Sequence, residues 1–211
     1  MSIVKECGAR MLDICTAAPV IPVLVVEDVR HARPLAAALV RGGLPVLEVT
    51  LRTPAALDII ATMSDEPGAI VGAGTLLDPE DVDAVIGAGA QFGVSPGSTD
   101  ELLDTCEARR LPFLPGVSTV SEVMRLRARG YDLMKFFPAE ASGGVAMLKG
   151  IAGPIPNVRF CPTGGVGPDN LAQYRGLSNV VCVGGSWITP VDAVQAEDWQ
   201  AIEDAARAVS E

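Results

Sequence analysis

Short apolar runs recur along the chain, each followed by a stretch in which apolar and polar positions alternate with helical spacing, at intervals of roughly 20–25 residues. The runs predict strands at 19–26, 46–50, 69–75, 91–95, 112–115, 133–137, 158–161 and 180–183. Between and after them the pattern predicts helices at 28–41, 54–63, 79–86, 99–110, 119–129, 143–151, 168–175 and 198–209. An opening helix at 2–17 precedes this alternation and is expected to cover one end of the repeated units. Several boundaries carry their own chemistry. Asp28 is a candidate N-cap and Gly42-Gly43 a stop, and Asp78 with Pro79 opens the third helix of the series. Strand–helix alternation implies parallel strands joined by helical crossovers. Eight such units over residues 1–211 predict one domain, a (β/α)8 TIM barrel with an additional N-terminal helix. A doubly wound open sheet is the competing fold. The G-x-G-x-x-G fingerprint expected after its first strand is missing here.

Composition agrees with a sheet buried on both faces. The apolar fraction is 49% and the aromatic fraction only 4%, so the core is built from Val, Leu, Ile and Ala. The formal net charge of −10 argues against a nucleic-acid partner, which needs a basic face. It leaves room for a small anion at a locally positive site. The five cysteines form no C-x-x-C, and their odd number suggests free thiols in a reducing cytoplasm. The N-terminus has no apolar segment of signal-peptide type, and no run approaches the ~18 apolar residues of a membrane span.

In a barrel of this kind the site lies where the strands end. Polar and glycine residues collect there: Glu48–Arg52, Gly72–Thr75, Ser95–Gly97, Pro115–Ser118, Pro162–Gly165 and Gly184–Ser186. Lys135 belongs to this set and stands out within it. The chain has two other lysines, Lys5 and Lys149, and Lys135 lies in an apolar run, Leu-Met-Lys-Phe-Phe. One reading is an ammonium that snorkels to the rim or pairs with Glu48 or Glu140. The other is a nucleophile. Burial favours a neutral amine, and a neutral amine can attack a ketone to form a Schiff base. Such chemistry needs a proton carrier. Glu48, flanked by Leu47 and Val49, is the best placed, although it too could be a structural ion pair with Arg52 or Lys135. Strand alternation puts Glu48 with Thr50 on one face and Lys135 with Phe137 on one face. Whether both faces point inward depends on a register that a one-residue slip would reverse. The lone histidine, His31, is expected at the surface.

Thr163-Gly-Gly165 and Gly184-Gly-Ser186 expose backbone N–H groups before helices, after the seventh and eighth strands. This is the usual phosphate position in such barrels; two tight turns needing glycine angles are the plainer explanation. Trp187 is expected to pack, and Cys161 and Cys182 to be inert core thiols. No side-chain cluster has metal-ligand spacing, so a metal-free and cofactor-free mechanism is expected. No G-x-S-x-G elbow is present.

Taken together, Glu-Val-Thr-Leu-Arg (48–52), Val-Gly-Ala-Gly-Thr (71–75), Lys-Phe-Phe-Pro-Ala-Glu (135–140), Phe-Cys-Pro-Thr-Gly-Gly (160–165) and Gly-Gly-Ser-Trp (184–187) closely resemble the 2-keto-3-deoxy-6-phosphogluconate (KDPG) and 4-hydroxy-2-oxoglutarate (KHG) aldolase family. The motifs fall in order over almost the whole chain. The resemblance implies a class I aldolase, a homotrimeric (β/α)8 barrel of the Entner–Doudoroff pathway that releases pyruvate and glyceraldehyde 3-phosphate. It implies Lys135 as the Schiff-base residue and Glu48 as general acid/base. It also implies that Arg52 and Thr75 bind the carboxylate, Pro96 and Phe137 line the pocket and Thr163 orients the substrate, while Gly164, Gly165, Gly184 and Ser186 contact phosphate. Ser142 departs from the asparagine usual in relatives. Other readings are a galactonate-epimer aldolase, a phosphate-binding epimerase that would not need the lysine, and a non-catalytic sugar-acid sensor.

Overall fold

The structure, a computed structural model, describes residues 2–210. Helix α1 (Ile3–Thr16) leads into β1 (Val20–Leu24); a 3-10 turn at Val29–His31 opens α2 (Ala32–Arg41). Next come β2 (Val46–Thr50), α3 (Ala56–Ser64), β3 (Ile70–Gly74), α4 (Pro79–Gly87), β4 (Gly93–Val94) and α5 (Asp100–Ala108). The second half runs β5 (Phe113–Leu114), β6 (Gly116–Val117), α6 (Val120–Arg129), β7 (Leu133–Phe136), α7 (Gly144–Ala152) and β8 (Arg159–Pro162). It closes with α8 (Leu171–Arg175), β9 (Val183–Gly185), α9 (Val191–Gln195) and α10 (Trp199–Ser210).

All named strand pairs are parallel. A six-stranded sheet runs β5-β4-β3-β2-β1-β9 and a three-stranded sheet runs β6-β7-β8. Pro115 alone separates β5 from β6, and isolated bridges Phe160↔Val180 and Thr163↔Gly184 connect the β8 side to the β9 side. The result is an α/β fold around a curled parallel sheet.

Strand alternation sorts the core into two populations. Leu47, Val49, Met134 and Phe136 pack with helix residues such as Leu35, Leu39, Ile59 and Leu148. Val46 and Leu133 join Ile21, Phe92, Val94, Leu114, Cys161 and Cys182 in a separate inner cluster, to which α1 contributes Met11 and Cys15. Glu48 is two residues from Val46, and Lys135 is two from Leu133. Both therefore belong to the inner face, and the register question has one answer.

The structure revises several expected boundaries. The strand predicted at 112–115 is two short segments, because Pro115 has no N–H to give a ladder. The strand predicted at 180–183 shifts to Val183–Gly185, leaving Val180 with a single bridge. The helix predicted from 168 starts at Leu171, after a turn in which Asn170 Oδ1 accepts from the Gly167 N–H at 2.9 Å. Helix α9, which begins just after Pro190, was not anticipated, so eight helices plus an opening one undercount the ten α-helices of the described residues. No helix of the described residues is long and apolar enough to cross a membrane.

Candidate active site

The inner faces of β2 and β7 bring one amine and one carboxylate together. Lys135 Nζ lies 3.3 Å from Glu48 Oε1, with side-chain exposures of 6% and 4%. The two strands lie in different sheets, so the pair spans the interior. Lys135 Nζ also sits 5.1 Å from the centroid of the Phe137 ring, within range of a cation–π contact. A buried ion pair is costly unless well satisfied, so this one is weak evidence for stability. Of the pairings open in the sequence, Lys135 takes Glu48. Glu140 instead accepts a hydrogen bond from Tyr174 Oη.

Glycines make room for these groups. Lys135 pairs in register with Gly116 on one side and Cys161 on the other. A Cβ on Gly116 would lie 2.3 Å from the Pro96 carbonyl, so the glycine lets the Pro96 turn approach. Pro96 follows Ser95, whose Oγ donates to the Gly97 carbonyl and accepts from the Gly116 N–H at 3.4 Å. A Cβ on Gly184 would stand 2.3 Å from Thr163 Oγ1.

Arg52 is exposed at the rim. Its Nε donates to Thr50 Oγ1 at 3.2 Å, and Thr50 Oγ1 donates to the Leu24 carbonyl at 2.8 Å. Thr50 thus orients the arginine, a role that its place two residues from both Glu48 and Arg52 could have suggested. Thr75 directly follows β3 with a left-handed φ of 66°, uncommon for a residue branched at Cβ. Phe137 is half-buried, Thr163 is buried and Ser186 is exposed. Gly164 and Gly165 have φ of 97° and 79°. Among the described residues no protein acceptor is paired with the N–H of Gly164, Gly165 or Ser186. Neither Arg52 nor Thr75 bonds to Lys135 or Glu48.

His31 is not at the surface: it is half-buried, 3.5 Å from Glu197 Oε1 and with its ring 5.7 Å from that of Trp199, because the start of α10 packs over it. Trp187 packs directly over Gly185. Cys161 and Cys182 are buried thiols. Hydrogen bonds with Cys15 and Cys161, with burial, push the Cys182 thiol well above its ordinary range, so it stays protonated. Gly74 went unassigned in the sequence, yet its lack of a side chain is what admits the Glu48 carboxylate. No group of three or more His, Cys, Asp or Glu among the described residues could hold a metal ion.

A buried amine beside a buried carboxylate, in a sheet whose strand ends carry unpaired backbone N–H groups, has what imine chemistry on a small anionic carbonyl compound requires. Comparison with known proteins gives the same class. The KDPG and KHG aldolase family model matches residues 11–205. The 2-dehydro-3-deoxy-phosphogluconate aldolase of Pseudoalteromonas atlantica is 52% identical over 92% of this chain and 91% of its own. The KDPG aldolase of Legionella pneumophila, whose crystal structure captured pyruvate at low pH as a covalent carbinolamine intermediate, superposes with a TM-score of 0.91 and 46% identity, covering 95% of this chain and 98% of that one. The Zymomonas mobilis enzyme with 3-phosphoglycerate gives a TM-score of 0.90 and 44% identity over 96% and 97%. The chain belongs to the KDPG and KHG aldolase family.

Proposed function

We propose that the chain is a class I aldolase, an aldehyde lyase that cleaves 2-keto-3-deoxy-6-phosphogluconate to pyruvate and glyceraldehyde 3-phosphate, and also 4-hydroxy-2-oxoglutarate to pyruvate and glyoxylate. The buried Lys135–Glu48 pair at 3.3 Å carries this reading. Transfer of a proton from the Lys135 ammonium to Glu48 frees the amine, and Lys135 Nζ adds to the C2 ketone. Glu48 supplies the proton with which the carbinolamine loses water, leaving a protonated imine. Loss of the C4 hydroxyl proton to Glu48 then breaks the C3–C4 bond. The aldehyde departs, and the electron pair moves into the imine as an enamine. Protonation at C3 and hydrolysis release pyruvate and the free amine. Arg52 and Thr75 hold the carboxylate, Thr163 orients the chain, and Pro96 and Phe137 line the reacting carbons. The free N–H groups of Gly164, Gly165 and Ser186, with Gly184, receive the phosphate.

In the same reading the two sheets are parts of one closed (β/α)8 barrel forming a single domain, and α1 is an additional helix that plugs its floor. Continuity through Pro115 and the bridges to β9 support closure, and Met11 and Cys15 in the inner cluster support the plug. The enzyme works as a homotrimer in the cytoplasm, in the Entner–Doudoroff pathway, needing no cofactor. Incubation with pyruvate and borohydride is the test of the chemistry: a stable adduct on the Lys135 peptide is expected. An adduct on Lys5 or Lys149, or none, defeats it.

A further inference from the structure

The chain leaving Lys135 is stitched to the loop after β8. Phe136 O accepts from the Thr163 N–H at 2.9 Å, Ala139 N–H donates to Thr163 O at 2.8 Å, and Glu140 N–H donates to Gly164 O at 3.1 Å. The ladder therefore continues past the strand ends and brings the Glu140 side chain against Gly165. Two glycines are shaped around it. A Cβ on Gly165 would lie 2.6 Å from Glu140 Cγ, and one on Gly144 would lie 3.1 Å from Glu140 Oε1 and 3.2 Å from Tyr174 Oη. Tyr174 is fully buried in α8 and its hydroxyl donates a hydrogen bond to Glu140 Oε1. Burial and the Glu140 carboxylate push the phenol up from its ordinary value, so it remains a donor wherever the enzyme works. One turn earlier on the same segment, Asn170 Nδ2 donates to Gly165 O at 3.0 Å. The result is a closed circuit: Glu140 to Tyr174, along α8 to Asn170, to Gly165 and back to Glu140.

We infer that Glu140 and Tyr174 are positioning residues that hold the Gly164-Gly165 N–H groups at a fixed height above Lys135, and so set the preference for a phosphorylated over an unphosphorylated substrate. This rests on the aldolase reading above. Neither residue touches the reacting carbons. Their effect is confined to the far end of the substrate, where the backbone donors must match an anion held at a fixed distance from the imine carbon. A loop released from this brace still folds but presents its donors out of line.

The experiment compares the parent with Tyr174→Phe, Glu140→Ala and Glu140→Gln on KDPG and on the same acid lacking its phosphate. Pyruvate–borohydride labelling of Lys135 is measured alongside. Tyr174→Phe and Glu140→Ala are expected to lower kcat/KM for the phosphorylated acid at least about tenfold, chiefly through KM, since small misplacements cost up to roughly a hundredfold. The unphosphorylated acid and the labelling should change less than about twofold. Glu140→Gln, which still accepts from Tyr174, should restore most of the preference. Equal losses on both substrates, or no loss on either, overturn the inference, as does a parent with no preference for the phosphate. Failure of the parent to be labelled would instead defeat the aldolase reading itself.

Discussion

Gly74 faces Glu48 so closely that a methyl group on it would stand 2.3 Å from Oε1 and 2.8 Å from Cγ. Gly74 pairs with Thr50 at the top of β3, one pleat beyond the Gly72–Glu48 pair. The carboxylate therefore leans over the neighbouring strand into space that only glycine leaves open. Gly74→Ala pushes on the flexible end of a side chain, so the fold is expected to survive with about 1–3 kcal/mol lost to overpacking. Glu48 is displaced, however, and turnover should fall roughly a hundredfold. Gly72→Ala is the contrast: its methyl would meet the fully buried Phe92 ring at 2.4 Å, which has nowhere to go, and it should cost stability first. Urea unfolding and pyruvate-release rates measured on both variants separate the effects. Unchanged turnover in Gly74→Ala would mean that the position of Glu48 is immaterial.

Glu48→Gln keeps the shape and removes the proton carrier. General acid–base catalysis contributes about 10²–10⁴, and kcat should fall by that factor. Lys135 remains in place, so pyruvate and borohydride should still label it, only more slowly. A time course of adduct mass against turnover checks this. A variant within about fivefold of the parent removes Glu48 from the mechanism.

The same pair makes a stability prediction. Lys135→Met leaves a carboxylate buried without its cation, and breaking such a pair costs about 3–5 kcal/mol. Adding Glu48→Gln removes the stranded charge. The double variant should unfold at a higher urea concentration than Lys135→Met alone, although both are inactive. If the two single losses simply add, the residues are not coupled.

Much of this site was legible in the sequence for one reason: a lysine and a glutamate set in apolar strands break the strand pattern, and such breaks mark function. Period-two alternation then puts Glu48 with Val46 and Lys135 with Leu133. It does not say which face is inner, since that depends on how the sheet curls and on α1 sending Met11 and Cys15 into one side of it. The split of the fifth strand at Pro115 could be read from proline's missing N–H. The shift of the last strand to Val183–Gly185 could not, because Val180–Val183 is as apolar as a strand should be and only tertiary pairing with β1 chooses the later residues. The partnership of Glu140 with Tyr174 joins residues 34 apart in sequence, with no local pattern to announce it.

A last prediction concerns the rim beside the site, where Thr119 and Glu122 cap α6. Glu122 Oε2 accepts from the backbone N–H groups of Ser118 and Thr119, both at 2.8 Å, and from the Thr119 hydroxyl at 2.9 Å; Thr119 Oγ1 accepts in turn from the Glu122 N–H at 3.3 Å. Partial burial alone would raise the carboxyl, but these hydrogen bonds more than offset it and hold Glu122 below its usual 4.5. A carboxyl whose folded value is depressed adds stability above its unfolded value, and that stability disappears as pH falls through the lower, folded value. Parent and Glu122→Gln should thus differ most in urea midpoint at neutral pH and converge by about pH 3. Thr119→Ala, which removes the other half of the cap, should cost about 1 kcal/mol at neutral pH. A gap between parent and Glu122→Gln that stays constant through acid would show that the Glu122 charge does not stabilise α6.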